Sequence, residues 1–336
     1  MWGEKESKMI GIDVSKDTID CTFVSKDTRE IVWHKSFPNT PEGVLELLSI
    51  TPEGVGWVLE ATGRYSLMIA RLAKASGQPA YAAPTRQAKL FCRSIQTRAK
   101  TDRLDSYGLA LFGLSRPLRP YPIKSESLEE VEQLLRARRG VSKALTGLMQ
   151  RQKELPYARD VLDPTIEHLK ERIKEIDKRI REATEESEEL GFTKALRKVP
   201  GIGPTTAAYV GVALASREFE RADQFVAYVG LDVGVVASGK RKGERGLTKQ
   251  GDAELRRLLY CSAQSSARAR KDRTFREQYE AELAKGLSKT GAWCAVARKI
   301  AKVCWALHRH GAGYDPERVR AGRSERGASR SQHLRE

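Results

Sequence analysis

Four acidic residues stand where metal chemistry would need them. Asp13 lies in Ile10-Gly11-Ile12-Asp13-Val14-Ser15, an acid inside an otherwise apolar run. Glu60 ends a second apolar run, Val58-Leu59-Glu60-Ala61. A carboxylate in such a strand is costly to bury unless it is paired or holds a metal. Asp102 and Asp105 are three apart in Lys100-Thr101-Asp102-Arg103-Leu104-Asp105, so a helix there points both the same way. Hard oxygen ligands of this kind suit magnesium or manganese. Two such ions can position an attacking oxygen and stabilise the leaving one in phosphodiester cleavage. Each element alone is weak, because strand-end Asp residues are commonly caps and a D-x-x-D helix face is commonly solvated. The ordered set is more specific.

A second constellation lies near the other end of the chain. Ser238 stands in Ala237-Ser238-Gly239-Lys240-Arg241-Lys242-Gly243-Glu244-Arg245-Gly246, read as a glycine-rich loop surrounded by cations. Thr248-Lys249-Gln250-Gly251 and Leu255-Arg256-Arg257 follow. A serine in a basic loop most often binds phosphate or caps a helix. Here Lys240, Arg241, Lys242, Arg245, Lys249 and Arg256 are placed to contact nucleic acid. The same cations would lower the cost of an alkoxide and neutralise a pentacoordinate phosphorus. A serine–phosphate ester would conserve the bond energy that hydrolysis loses. Ser262, Ser265 and Ser266 lie close enough in sequence to compete for that role. Upstream, Val199-Pro200-Gly201-Ile202-Gly203-Pro204 resembles a helix-hairpin-helix, in which Gly201 and Gly203 permit a tight turn whose amides hold a DNA phosphate. A plain helix–helix turn is the alternative.

The elements that must carry these residues change along the chain. Strands are predicted over Lys8–Val14, Thr18–Val24 and Glu30–Phe37, with short polar turns that imply an antiparallel meander. Helix over Pro41–Ile50, strand over Gly56–Ala61, helix over Tyr65–Ser76 ended by Gly77, strand over Pro79–Ala83 and helix from Thr85 to about Leu114 follow. That order is the order of a ribonuclease-H-like fold, though other α/β folds share it. From Ser127 the pattern becomes long-helical. Leu128, Val131, Leu134 and Leu135 share one face. After a break over Leu155–Pro164, Ile166, Leu169, Ile173, Ile176 and Ile180 trace a coiled-coil seam, read as a helical hairpin or a dimerising arm. The division expected is 1–120, 121–190 for the hairpin, a mostly helical 191–310, and a disordered basic tail over 311–336.

The 336 residues carry a formal net charge of +16, which favours a polyanionic partner, nucleic acid before membrane. No apolar run is long enough to span a membrane. Met1 to Lys8 is polar and gives no expectation of a signal peptide. The five cysteines form no CxxC and are odd in number, so neither a disulfide framework nor a zinc site is expected, and a reducing cytoplasm is the natural setting. Gly11-Ile12-Asp13 also resembles the phosphate loop of actin-like ATPases. The turn there carries Lys16 and Asp17 rather than small residues, and no second phosphate loop follows.

Taken in order, Gly11 to Lys16, Glu60 to Gly63, Lys100 to Asp105, Pro200 to Pro204 and Ser238 through Arg256 resemble the DEDD transposases of the insertion sequence 110 family, over nearly all of residues 8–310. The resemblance implies a RuvC-like, ribonuclease-H-fold N-terminal domain, a coiled coil and a C-terminal domain with a catalytic serine. It implies magnesium on Asp13, Glu60, Asp102 and Asp105, and Ser238 as nucleophile. It further implies a guide (bridge) RNA that pairs with donor and target DNA. Composite sites shared between protomers of a dimer or tetramer are also implied. Two other functions remain open: a junction nuclease working by metal alone, and a non-catalytic nucleic-acid-binding protein.

Overall fold

Alternation along the first strands decides how the N-terminal sheet is covered. The computed structural model describes residues 8–25, 27–60, 64–95, 101–234, 237–238, 241–242, 246–269 and 271–321. These fall into two compact units, Met1–Ile123 and Lys124–Glu336. In the first, β1 (Lys8–Val14), β2 (Thr18–Ser25) and β3 (Ile31–Pro38) form the expected antiparallel meander. Helix α1 (Pro41–Ile50) begins where Thr40 accepts a hydrogen bond from the Gly43 amide, with Pro41 in the first turn. Strand β4 (Gly56–Glu60) then pairs parallel to β1, and after α2 (Arg64–Ala75) strand β5 (Ala80–Ala83) pairs parallel to β4. Helices α3 (Thr85–Ile95) and α4 (Asp102–Ser115) precede the short β6 (Arg119–Pro120). The sheet order is β3-β2-β1-β4-β5-β6. The single helix expected from Thr85 to Leu114 is therefore two, because Thr101 caps a new helix with its hydroxyl on the Leu104 amide.

Side chains of opposite parity build two cores on the two faces of this sheet. Ile10, Ile12, Trp57 and Leu59 pack beneath Val44 and Leu47 of α1 and Ile69 and Ala73 of α2. Met9 and Val58 pack beneath Leu109, Ala110 and Phe112 of α4 and Ala88 of α3. Gly11 shares the second face. A β-carbon there would lie 2.0 Å from the Ser106 carbonyl oxygen, so glycine alone lets α4 lie directly on β1.

The second unit opens with α5 (Glu126–Glu154), a 3₁₀ turn at Pro156–Ala158 and α6 (Arg159–Glu186). The two helices pack as a hairpin, pinned where Arg138 donates twice to the Asp177 carboxylate at 2.5 and 3.1 Å. The break is shorter than expected: Pro164 sits inside α6, where its missing amide removes one helical hydrogen bond near the start. Leu128, Val131, Leu134 and Leu135 are all buried, with Ile180 and with Ala208 and Val212 of one later helix. The rest is mostly helical: α7 (Thr193–Leu196), α8 (Pro204–Ala215), α9 (Ala222–Val229), then β7 (Ala237–Ser238) and β8 (Arg241–Lys242), then α10 (Ala253–Ser266), α11 (Thr274–Ala284) and α12 (Lys289–His310). Phe225, Leu259, Phe275 and Ile300 lie at its centre, each at most 1% exposed. Gly311 ends α12 in the left-handed conformation, as a C-terminal glycine does. The expectation of disorder from Gly311 is corrected as far as Ala321. Tyr314 donates to Asp272 at 2.6 Å, residues 316–321 are helical, and Val319 packs on the core. Residues 322–336 lie outside the described residues.

Candidate active site

The same parity gathers the carboxylates. Asp13 lies two residues beyond Gly11 and Glu60 two beyond Val58, so both stand on the sheet face that α4 covers. In the parallel β1–β4 register, Ile12 pairs with Leu59, which brings Asp13 and Glu60 to the same end of adjacent strands. Asp102 and Asp105 occupy the first turn of α4, where the helix N-terminus favours negative charge. Asp13, Glu60 and Asp105 are half-buried and Asp102 is exposed.

Burial first, then the charges of Asp105, Asp102 and Asp20, raise the Asp13 carboxyl above its ordinary value. The Cys92 thiol of α3, pushed up to about 11 mainly by burial, also senses Asp105, Glu60 and Asp13. All four predicted carboxylates thus share one electrostatic neighbourhood. Among the described residues no three His, Cys, Asp or Glu side chains are arranged to hold a metal ion ready-made. The donor set nevertheless fits a hard divalent cation: carboxylate oxygens whose mutual repulsion and burial a positive ion would relieve.

Sequence reasoning missed Asp20 and the network beside it. Asp20 stands directly across from Asp13 in the β1–β2 ladder. Ser36 donates to it at 2.5 Å, and the His34 Nε2 lies 3.9 Å away. Two pairs along, on the same face, the Thr22 hydroxyl meets Ser106 at 2.7 Å, buried, and the His34 Nδ1 at 2.9 Å. Ser106 adjoins Asp105, so this chain of polar groups ties α4 to β2 and β3. Counting the meander register outward from its tight turn would have revealed Asp20.

Ser238 belongs to the second unit. It stands in a short antiparallel hairpin rather than a loop, its backbone paired with Arg241. Farther from the tip, Val233 bridges Leu247, and Thr248 donates its amide to the Asp232 carbonyl at 3.0 Å. Arg241 and Lys242 form the facing strand, whereas Lys240 and Arg245 lie outside the described residues. Two of the competing serines are buried. Ser262 is 3% exposed and Ser266 fully buried, its hydroxyl donating to the Ala263 carbonyl, while Ser265 is exposed.

The other basic candidates differ in setting. Lys249 is exposed and holds a φ of 54°, a conformation costly for a side-chain-bearing residue. Arg256 donates to the Val229 carbonyl at 2.9 Å and so helps finish α9, which uses part of its hydrogen-bonding capacity inside the protein. Gly201 has φ 84°, and a β-carbon there would lie 2.2 Å from the Ser262 carbonyl oxygen. That glycine is required by the packing of α10. Gly203 caps α8 and is exposed, and Thr205 of the same first turn donates to Asp177 at 3.3 Å.

Comparison with known proteins agrees with these blocks. Residues 10–155 match the DEDD transposase family of IS110 elements, and residues 193–280 match the transposase IS116/IS110/IS902 family. The chain is 25% identical to a pilin gene-inverting protein of Moraxella lacunata over 317 residues, 91% of this chain and 97% of that one. The corresponding protein of Moraxella bovis is 26% identical over the same coverage. An insertion element IS116 protein of Streptomyces clavuligerus is 30% identical over 144 residues, 42% of this chain and 34% of that one. Among solved structures, T. thermophilus RuvC in complex with a Holliday junction substrate aligns with a TM-score of 0.27 at 16% identity, over 34% of this chain and 99% of that one. Matched in order over residues 10–155 and 193–280 by two models of IS110-type transposases, this chain belongs to the IS110 family of transposases.

Proposed function

We propose that this chain is an RNA-guided, site-specific DNA recombinase that cuts and rejoins donor and target DNA through a serine nucleophile and a carboxylate-bound metal. The observation that carries the reading is the acidic cluster on one sheet face, where Asp13 is held in the field of Asp102 and Asp105. Asp13, Glu60, Asp102 and Asp105 would hold Mg²⁺ or Mn²⁺. When bound, the ion supplies charge neutralisation at the scissile phosphate. The N-terminal unit is read as RuvC-like.

The serine of the hairpin does the bond exchange. The Ser238 oxygen attacks phosphorus and its proton passes to solvent or a neighbouring base. As the serine–phosphorus ester forms, the ester bond to the leaving deoxyribose breaks, and the freed hydroxyl takes up a proton. A second DNA hydroxyl reverses the exchange and joins a new strand, so no nucleotide cofactor is consumed. Arg241, Lys242 and Lys249, with Lys240 and Arg245, balance charge on the phosphate. Burial of Ser262 and Ser266 supports Ser238 over its neighbours. Gly203 at the start of α8 is read as a phosphate contact in a helix-hairpin-helix, with Gly201 shaping the turn.

A dimer or tetramer is part of this reading, with the serine of one protomer serving the carboxylates of another. The far end of the helical hairpin supports self-association: Leu155, Tyr157 and Val161 are 51, 101 and 71% exposed. Cytoplasmic placement, on the nucleoid when DNA-bound, is the setting we infer. Among the described residues no helix is long and apolar enough to cross a membrane.

The test compares wild type with Asp105→Asn on labelled donor DNA in Mg²⁺ and the flanking RNA. Asp105→Asn is expected to lose strand cutting by roughly a thousandfold, as several kcal/mol of metal-supplied stabilisation implies, while DNA binding stays near wild type. Loss of binding instead would give Asp105 a structural role and remove the metal site from the account.

A further inference from the structure

Charge is distributed very unevenly around the carboxylates. From residue 61 to residue 101 the chain has eight Lys and Arg and no Asp or Glu, half of its net +16. This acid-free stretch separates Glu60 from Asp102, and within it α3 turns a basic face outward. Arg86, Lys89 and Arg93 are spaced i, i+3 and i+7, hence on one stripe, and all three are exposed. Leu90, in the middle of that stripe, is 57% exposed. The opposite side of the helix is buried through Ala88 and Cys92.

The position of the stripe gives it meaning. The Cys92 sulfur is seated against Gly108 of α4, where a β-carbon would lie 2.5 Å from it. Cys92 also lies within the field of Asp105, Glu60 and Asp13. The inner side of α3 is thus anchored to the helix that carries Asp102 and Asp105. A cluster of carboxylates repels the polyanion it must act on, so cations set beside it are needed to hold the strand nearby. An isolated helix with three cations and no acid gains no internal ion pairs for itself.

Resting on the reading that the carboxylates cut DNA, we propose that the outer face of α3, through Arg86, Lys89 and Arg93, seats the DNA backbone that leads to the scissile phosphate. The contacts are to phosphate and therefore blind to sequence, with Leu90 against the sugar edge. The commitment is to DNA rather than RNA because α3, the helix that bears the face, packs its inner side on the helix that carries Asp102 and Asp105.

The experiment uses the full chain and a labelled DNA duplex, with affinity measured across a KCl series. The triple variant Arg86→Ala/Lys89→Ala/Arg93→Ala should flatten the dependence of log affinity on log salt by about 2–3, each phosphate contact contributing about 0.9. Its melting temperature should match wild type, because the three side chains are exposed. Arg86→Lys/Arg93→Lys should retain the wild-type slope. If the triple variant fails to fold, the single variants Arg86→Ala and Arg93→Ala should each lower the slope by about 0.9. An unchanged slope in the folded variants overturns the proposal. So does a loss of slope on an RNA duplex with none on DNA, which would give the face to RNA. A wild type that neither binds nor cuts DNA would instead sink the functional reading itself.

Discussion

Asp13 has the most informative surroundings of any single residue in the chain. Burial and three neighbouring acids raise its carboxyl, so the folded state holds that proton more tightly than the unfolded chain does. The sign follows: the stability this group supplies is complete below its ordinary value of 3.8 and is lost as pH rises through the raised folded value. At neutral pH without metal, ionised Asp13 therefore destabilises the fold. Asp13→Asn is expected to raise the metal-free melting temperature by a few degrees, and to abolish the further rise that Mg²⁺ gives wild type. Differential scanning fluorimetry with and without MgCl₂ checks both. A variant that melts lower and still responds to Mg²⁺ would assign Asp13 to packing. Asp13 and Glu60 were conspicuous in sequence, because each is an acid inside an apolar strand. Asp20 was not. It faces Asp13 only through strand register, which is set by pairing between segments and leaves no mark on either one alone.

At the scale of elements, local signals served well wherever one was present. Thr40-Pro41 starts α1 and Gly77, with φ 71°, follows α2, both as caps predict. Helix α4 escaped as a separate element because its start rests on the extended Thr101, whose hydroxyl accepts from the Leu104 amide. The Ser238 hairpin was read as a loop because residues 237–242 lack apolar alternation. Its pairing is made by backbone groups, from Asp232–Thr248 outward to Ser238–Arg241. Gly201→Ala forces a β-carbon onto the Ser262 carbonyl at a φ of 84°, and should cost about 3 kcal/mol in urea unfolding. An effect near zero would show that the turn relaxes freely. Ser106→Ala leaves the buried Thr22 hydroxyl short of a partner and should cost about 1–2 kcal/mol. With Thr22→Val added, the pair should couple in a double-mutant cycle. Simple additivity would deny the link between β2 and α4.

For the whole molecule, positive charge and two independently cored units set the terms. A surface of +16 should make DNA binding fall steeply with salt, by about 10³-fold or more between 50 and 200 mM if six or more phosphates are contacted. Self-association through the hairpin tip should weaken when Leu155, Tyr157 and Val161 become Ser, read as lower mass by light scattering. Unchanged mass would move the interface elsewhere. The family was legible across the chain because its motifs are spread through both units, whereas the partner arrangement was not, since no residue pattern records which copy meets which. The proposed chemistry is tested most directly by trapping protein and DNA together. Wild type, the flanking RNA, labelled donor DNA and Mg²⁺ are mixed, denatured in SDS, digested, and the DNA-bearing peptide sequenced by mass spectrometry. A phosphoester on Ser238 is expected, absent in Ser238→Ala and in Asp105→Asn. Efficient cutting with no adduct, or an adduct on Ser265 that survives Ser238→Ala, would contradict it.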